Sequence, residues 1–327
     1  MQNELKYIET IYRKGSFSKA ARELFVTQPA LSIAISKIES EIGMPLFDRS
    51  TKPLRLTEAG RIYIEKIRQM ERLESELRNQ LLDLTSMLSG SVRIGATSYI
   101  ISCVLPPVLN RFRELYPGVR LEIAEAGAYE LKEMLRDQRL DITFLSESRK
   151  DDPFSVTPAF IDQLLLAVPA GFAVNARLKG CALTAGQVRR GEHLREGFPA
   201  APLEAFAGVP FVLLGAKYNL RARADAAFAQ AGITPCVVME TAQLLTAYAL
   251  AQSGMGVAFV PDRAVQAAHD SVVFYRLDSP HVVRRMSAAT NTSSYQSRAT
   301  LRFLELLEQY AARFPEEDAT VRAKSGR

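Results

Sequence analysis

Gln28-Pro29-Ala30-Leu31-Ser32-Ile33-Ala34-Ile35-Ser36-Lys37-Ile38-Glu39-Ser40-Glu41-Ile42 is the stretch whose reading decides the fold. Leu31, Ile35, Ile38 and Ile42 recur at helical spacing and share one buried face. Proline is tolerated in the first turn, where the missing N–H would have no intrahelical acceptor. The opposite face carries Pro29, Ala30, Ile33, Ser36, Lys37 and Ser40, with Gln28 and Ser32 on its shoulder. Small and hydrogen-bonding side chains opposite a buried stripe suit entry into a DNA major groove. A three-helix core with a solvated outer face satisfies the same periodicity, so this helix alone leaves both readings open.

The flanking residues extend the pattern. Residues 3–13 read as a helix with Leu5, Ile8 and either Tyr12 or Ile11 on its buried side. Gly15-Ser16 ends it. Ser16 or Ser18 then caps a second helix, whose Ala20-Ala21 pair permits close helix contact. Phe25-Val26-Thr27 makes a tight turn into the quoted stretch. Downstream, the alternation Pro53-Leu54-Arg55-Leu56-Thr57 predicts a short hairpin wing with cations at its tip and base. Such a wing can grip phosphates or reach into the minor groove.

Charge adds little. The chain of 327 residues carries a formal +5. Its first sixty residues hold nine cations (Lys6, Arg13, Lys14, Lys19, Arg22, Lys37, Arg49, Lys52, Arg55) against seven anions (Glu4, Glu9, Glu23, Glu39, Glu41, Asp48, Glu58). The case for DNA therefore rests on pattern.

The run Gly15-Ser16-Phe17, Ala20-Ala21, Leu24, Gln28-Pro29-Ala30-Leu31-Ser32, Ile35, Ile38-Glu39, Gly43, Leu46-Phe47, Arg49, Leu56-Thr57 and Ala59-Gly60 closely resembles the LysR-type transcriptional regulators. The likeness continues more loosely to about residue 310. It implies an α+β multi-domain chain: an N-terminal winged helix-turn-helix, a long dimerising linker helix and a C-terminal two-lobed α/β domain of the periplasmic-binding-protein type. Domains are expected at 1–60, 57–89 and 90–327, with lobe I at about 90–163 and 264–313 and lobe II at about 164–263.

Carried over from the resemblance, Gln28, Pro29, Ala30, Ser32 and Ile33 read bases, with Ser36, Lys37 and Arg49 on the same DNA-facing surface. Lys52 matches the wing residue of the minor groove, and Ser16 and Ser18 would bond phosphates. Implied partners are double-stranded DNA, a second or further copies of the chain in a homodimer or homotetramer, a small effector and RNA polymerase. One departure stands out. Ile33 and Ala34 occupy positions where the family commonly carries Arg or Lys and a polar residue. Ile33 cannot clasp a guanine, but its methyls can pack on thymine methyls.

Thr57 predicts the cap of the linker helix. Ile67, Met70, Leu73, Leu77, Leu81, Leu84 and Leu88 then recur at a mean spacing of 3.5, a coiled-coil period. One apolar stripe on a helix of about thirty residues needs a second surface; its own domain is one candidate, and a partner's equivalent helix is the reading adopted. Ser89-Gly90-Ser91 reads as a hinge.

Beyond it, strands at 91–95, 119–123 and 141–145 alternate with helices at about 99–116 and 130–136, which predicts a mostly parallel sheet. Leu164–Val168 resembles a crossover strand into a second lobe. That lobe is read as strand 211–214, helix 220–231, strand 236–240, helix 242–252 and strand 257–261. Strand 272–277 and a helix over 296–313 return to the first lobe, and a charged, disordered tail is expected beyond Phe314. Gly254-Met255-Gly256 lacks the third glycine of a nucleotide fingerprint and follows a helix. Residues 180–205 show no clear period and are longer than the family's usual connection, so they read as an insertion on the second lobe.

A ligand is expected between the lobes. Thr97, Ser98 and Tyr99 stand where the first strand gives way to a helix, Lys217, Tyr218 and Asn219 follow a second-lobe strand, and Thr241 and Gln243 follow the next. Hydroxyls beside Lys217 suggest an anionic, carboxylate-bearing effector.

Other classes fit poorly. No P-loop, nucleophile elbow, HExxH or Ser/His/Asp arrangement is present, so an enzyme is not expected. Cys103, Cys181 and Cys236 have no CxxC spacing and read as buried reduced thiols rather than redox groups; with His193, His269 and His281 scattered, no metal or other cofactor is expected. No apolar run is long enough for a membrane span, and no export pattern opens the chain, which points to the cytoplasm. A secreted solute-binding protein would need such a pattern and would not carry residues 1–60. A DNA-packing protein would not need the second half.

Overall fold

The computed structural model describes residues 2–51, 54–84, 89–146, 152–267 and 269–312. The chain divides into two units, Met1–Leu81 and Leu82–Arg327.

In the first unit, α1 (Gln2–Lys14), α2 (Phe17–Glu23) and α3 (Gln28–Ile42) precede a two-stranded wing, β1 (Phe47–Asp48) and β2 (Arg55–Leu56), and the long helix α4 (Glu58–Asp83). Ile8, Ile11, Ala20, Ala21, Leu31, Ile35, Ile38, Leu46, Phe47, Ile64 and Ile67 form the core. Ile11, not Tyr12, is the inward residue of α1; Tyr12 lies outside, with the Arg68 guanidinium 5.5 Å from its ring centroid.

Each start signal has its partner. Ser16 Oγ accepts from the Lys19 amide at 3.5 Å, making Ser16 the cap of α2, and Thr27 Oγ1 accepts from the Ala30 amide at 3.3 Å. Thr57 Oγ1 accepts from the Gly60 amide at 3.0 Å and donates to the Pro45 carbonyl at 2.6 Å, tying the start of α4 to the wing. Gly60 is obligatory there, because a Cβ would stand 2.0 Å from the Leu46 carbonyl oxygen.

Ile67 corrects the coiled-coil reading. It is 1% exposed within the first unit's own core and so unavailable to a partner. The helix ends at Asp83, so Leu84 follows it in a turn, and Leu88 lies outside the described residues.

The second unit opens with β3 (Gly90–Ala96), a five-residue π turn (Ile100–Val104), α5 (Pro106–Leu115), β4 (Val119–Glu125), α6 (Ala128–Arg136) and β5 (Ile142–Leu145). The helix expected over 99–116 is thus two pieces, divided at Leu105 before the Pro106-Pro107 pair. β6 (Phe154–Pro169) is followed by α7 (Val174–Arg177), β7 (Ala182–Leu183), α8 (Ala185–Arg189), β8 (Pro210–Leu214), α9 (Asn219–Gln230), β9 (Cys236–Thr241), α10 (Leu244–Gln252), β10 (Ala258–Pro261), β11 (Val272–Arg276), β12 (Val283–Asn291) and α11 (Arg298–Ala312).

The sheet is mixed, against the mostly parallel expectation. β3 pairs in parallel with β4 and β5, and β8 with β9, but β12 runs antiparallel to β5 and β6, and β10 and β11 antiparallel to β6. The reason is the chain's path. The residues 154–163 half of β6 zips to β12 in one lobe, and the 164–169 half zips to β10 and β11 in the other, so returning strands must oppose it. Leu164, Leu166 and Val168 face one core while Leu165 and Ala167 face another, which is why Leu164–Val168 reads as an unbroken apolar run.

The 180–205 segment has structure of its own. β7 pairs with β11, and α8 opens on a capping box in which Thr184 and Gln187 satisfy each other's backbone amides. Cys181 is buried as expected, but Cys236 is exposed and Cys103 half-buried. Gly256 faces the Pro210 carbonyl, 2.8 Å from where a Cβ would lie, and Gly254 turns at φ 90°, so the Gly-Met-Gly run combines a left-handed turn with one close backbone approach.

Candidate DNA-reading face and ligand cleft

Burial of Leu31, Ile35 and Ile38 turns the other face of α3 outward. Gln28, Pro29, Ala30, Ser36 and Lys37 are exposed, Ser32 is half-buried, and Ile33 is 70% exposed. Ser18 is exposed and Ser16 half-buried at the start of α2. The turn before α3 puts Phe25 at φ 55°, 96% exposed.

Arg49 has a structural task. Its Nη2 donates to Glu39 Oε2 at 2.9 Å and Ser36 Oγ at 3.4 Å, and its guanidinium lies 5.2 Å from the Phe17 ring centroid. Glu39 Oε1 meanwhile accepts from the amides of Leu46 at 2.8 Å and Phe47 at 3.3 Å. One carboxylate therefore clamps the wing base, through both backbone and Arg49, onto α3. Glu39 was absent from the sequence-based set because a helix-surface glutamate gives no sign of a partner seven or more residues ahead. Lys52 lies outside the described residues.

Within the second unit, a cleft of about 270 Å³ is lined by Thr97, Ser98, Tyr99, Tyr218, Asn219 and Gln243, all expected, together with Glu125, Leu214, Leu244 and Arg284, which were not. Lys217 and Thr241 are not among its lining residues. The Lys217 ammonium lies 5.3 Å from the Tyr218 ring centroid, and Thr241 Oγ1 donates to the Gln243 carbonyl at 3.1 Å. Local loop contacts outcompete the cleft for both side chains.

Beneath the cleft sits a buried charge cluster. Arg284 donates to Asp162 Oδ2 from Nε at 3.1 Å and from Nη2, and Tyr99 Oη donates to Asp162 Oδ1 at 2.7 Å. The Arg263 Nε stands 3.7 Å from the same oxygen. Burial pushes the Asp162 carboxyl up, and the Arg284 guanidinium opposes that push. Burial and then the Asp162 charge drive the Tyr99 phenol well above its ordinary value, so it remains a donor. Arg284 is thus an orienting donor whose charge is already balanced.

Among the described residues, no group of three or more His, Cys, Asp and Glu is placed to hold a metal ion, and no helix is long and apolar enough to cross a membrane.

A three-helix reader with a wing, joined by a long helix to a clefted two-lobed sheet, defines a DNA-binding transcriptional regulator with a ligand-sensing domain. Residues 2–61 match the bacterial regulatory helix-turn-helix of the lysR family, and residues 85–312 match the LysR substrate binding domain. The chain belongs to the LysR family of transcriptional regulators and is not an enzyme. It is 29% identical over 275 residues to the uncharacterized HTH-type transcriptional regulator YcgK of Bacillus subtilis (strain 168), covering 84% of each chain. YybE of the same organism, another uncharacterized HTH-type transcriptional regulator, is 26% identical over 259 residues, 79% of this chain and 82% of that one. Full-length CbnR complexed with its target DNA superposes with a TM-score of 0.67 at 20% identity, covering 94% of this chain and 98% of that one. Full-length BenM gives 0.55 at 21% identity, covering 96% and 98%. These two likenesses show the fold. Proteins of this family bind DNA and form oligomers.

Proposed function

We propose that this regulator acts in the cytoplasm, reads an interrupted palindromic site with the first two turns of α3, and answers to a small effector held in the cleft. The outward face of α3, with Ile33 70% exposed above the buried Leu31 and Ile35, is the observation that carries the reading. Gln28, Pro29, Ala30, Ser32 and Ile33 address base edges, while Ser16, Ser18, Lys37 and Lys52 meet phosphates or the minor groove. Paired stalks built from Met70, Leu73, Leu77 and Leu81 supply the symmetric mate. The effector is a carboxylate-bearing molecule bonded by Thr97, Ser98, Asn219 and Gln243, with Arg284 orienting it. Binding one lobe arrangement more tightly shifts the spacing of the DNA-reading pairs and, through RNA polymerase, transcription.

Selection of the purified full chain on random duplexes at moderate salt tests the reading. Enrichment of an inverted repeat is expected; no preference over random competitor would overturn it. In the same selection Ile33→Arg is expected to change base preference at one step of each half-site, moving it from A·T toward G·C by about 1–3 kcal/mol. An unchanged preference at every position would remove Ile33 from the interface. Thermal-shift screening of carboxylates against the wild type and Ser98→Ala tests the cleft. A stabilising compound whose effect Ser98→Ala reduces is expected.

A further inference from the structure

The buried ions beneath the cleft cancel, and the charge at its rim does not. Below, Arg284 and Arg263 stand against Asp162 and Asp262. At the rim, Glu125 lines the cleft, and its carboxylate makes no ion pair or hydrogen bond among the described residues. Arg284 is the only cation among the described lining residues, and Asp162 already answers its charge. A plain carboxylate would therefore enter as a second anion beside Glu125. Closing a water-poor cleft over an unmatched charge is costly.

The cleft nonetheless holds donors for one carboxylate. Helices α6, α9 and α10 all begin on it, at Ala128, Asn219 and Leu244, and none has a side-chain cap. Uncapped first amides at the positive ends of helix dipoles favour an anion. A buried side chain adds to them. Arg284 lines the cleft with its side chain only 9% exposed. Its Nε and Nη2 are taken up by Asp162, while Nη1 is bonded to no described residue and is not sealed off.

The two poles are neighbours in the sheet. Glu125 closes β4 opposite Ala96 of β3, and Thr97 follows Ala96 directly. Adjacent strands stand about 4.8 Å apart. The second lobe supplies an apolar wall to the same cleft from Leu214, Leu220 and Leu244.

We propose that the effector is a zwitterion, an α-amino acid with an apolar side chain. Its ammonium pairs with Glu125. Its carboxylate accepts from the Thr97 and Ser98 hydroxyls, Arg284 Nη1 and the helix-end amides, and its side chain lies on the three leucines. This rests on the cleft being the effector site, and it adds the charge and shape of what fills it.

Calorimetric titration of the full chain with L-leucine and L-phenylalanine tests the assignment. Each is run beside its des-amino acid (isocaproate, hydrocinnamate) and its carboxyl-free amine (isoamylamine, phenethylamine). At least one amino acid is expected to bind saturably and about tenfold more tightly than either truncated form. Glu125→Gln, at an exposed side chain, should weaken that amino acid about tenfold and leave the des-amino acid no weaker, whereas Ser98→Ala should weaken both. Failure of both amino acids to bind at millimolar concentration overturns the proposal, as does a truncated form that binds as tightly or a Glu125→Gln variant with unchanged affinity. A des-amino acid that binds as tightly yet responds to Ser98→Ala removes the ammonium and leaves the cleft as the effector site. Binding indifferent to Ser98→Ala removes the cleft as well.

Discussion

The two halves of α4 carry the same apolar spacing and meet opposite fates. Toward the N-terminal end, Ile64 and Ile67 are buried with the wing and α1–α3, and Gly60 lets the Leu46 carbonyl approach. Toward the C-terminal end, Met70, Leu73, Leu77 and Leu81 continue the stripe on an exposed face. A repeat of apolar residues therefore specifies which face of a helix is buried, but not what covers it. The cover for the first half comes from residues 8–47 of the same chain. The second half has no cover within the described residues of its own unit, and burying each such leucine is worth about 1.5–3 kcal/mol. That is the physical argument for a partner stalk.

Substitutions along the helix can break this division. Ile67→Ala should cost the first unit about 2–5 kcal/mol in chemical denaturation, the toll of a core cavity, without changing oligomeric state. If the assembly dissociated and the unfolding midpoint stayed put, Ile67 would belong to the seam after all. Gly60→Ala should follow at about 1–3 kcal/mol, because backbone rather than a flexible side chain meets the new methyl; a variant melting like the wild type would refute the close contact. Leu77→Lys with Leu81→Lys should change first-unit stability by less than about 0.5 kcal/mol yet yield a smaller species in sedimentation velocity. Retention of the original mass would remove these leucines from any interface. Leu84→Lys, beyond the helix end, is expected to be nearly silent in both measurements, and dissociation would extend the seam past Asp83.

The same distinction governs what could be read in advance. The first unit was legible almost residue by residue, since its helices, caps and turn follow from spacings of three and four and from short-range hydrogen-bonding residues. The clamp of Glu39 on Arg49 and the wing was not, because it joins side chains ten residues apart. In the second unit, Leu164–Val168 announced itself, while the first half of β6 and all of β12 went unread. Asp162 and Arg284 break their apolar alternation, and the burial of both depends on an ion pair spanning 122 positions. The cleft divides likewise. Thr97, Ser98, Tyr218, Asn219 and Gln243 sit at strand and helix ends where a ligand is expected, whereas Arg284 arrives on an unread strand and Glu125 from the end of an edge strand. Lys217 was misplaced because a local aromatic contact leaves no trace in spacing.

β6 carries a last consequence. Sixteen residues of unbroken strand serve both lobes in turn, and at roughly 3.3 Å per residue they run the whole breadth of the sensing unit. The lobes share one continuous strand rather than a slack tether, so any change in their relative orientation has to be accommodated within β6. The slip in register opposite Met286 and Ser287 is where the ladder yields most readily.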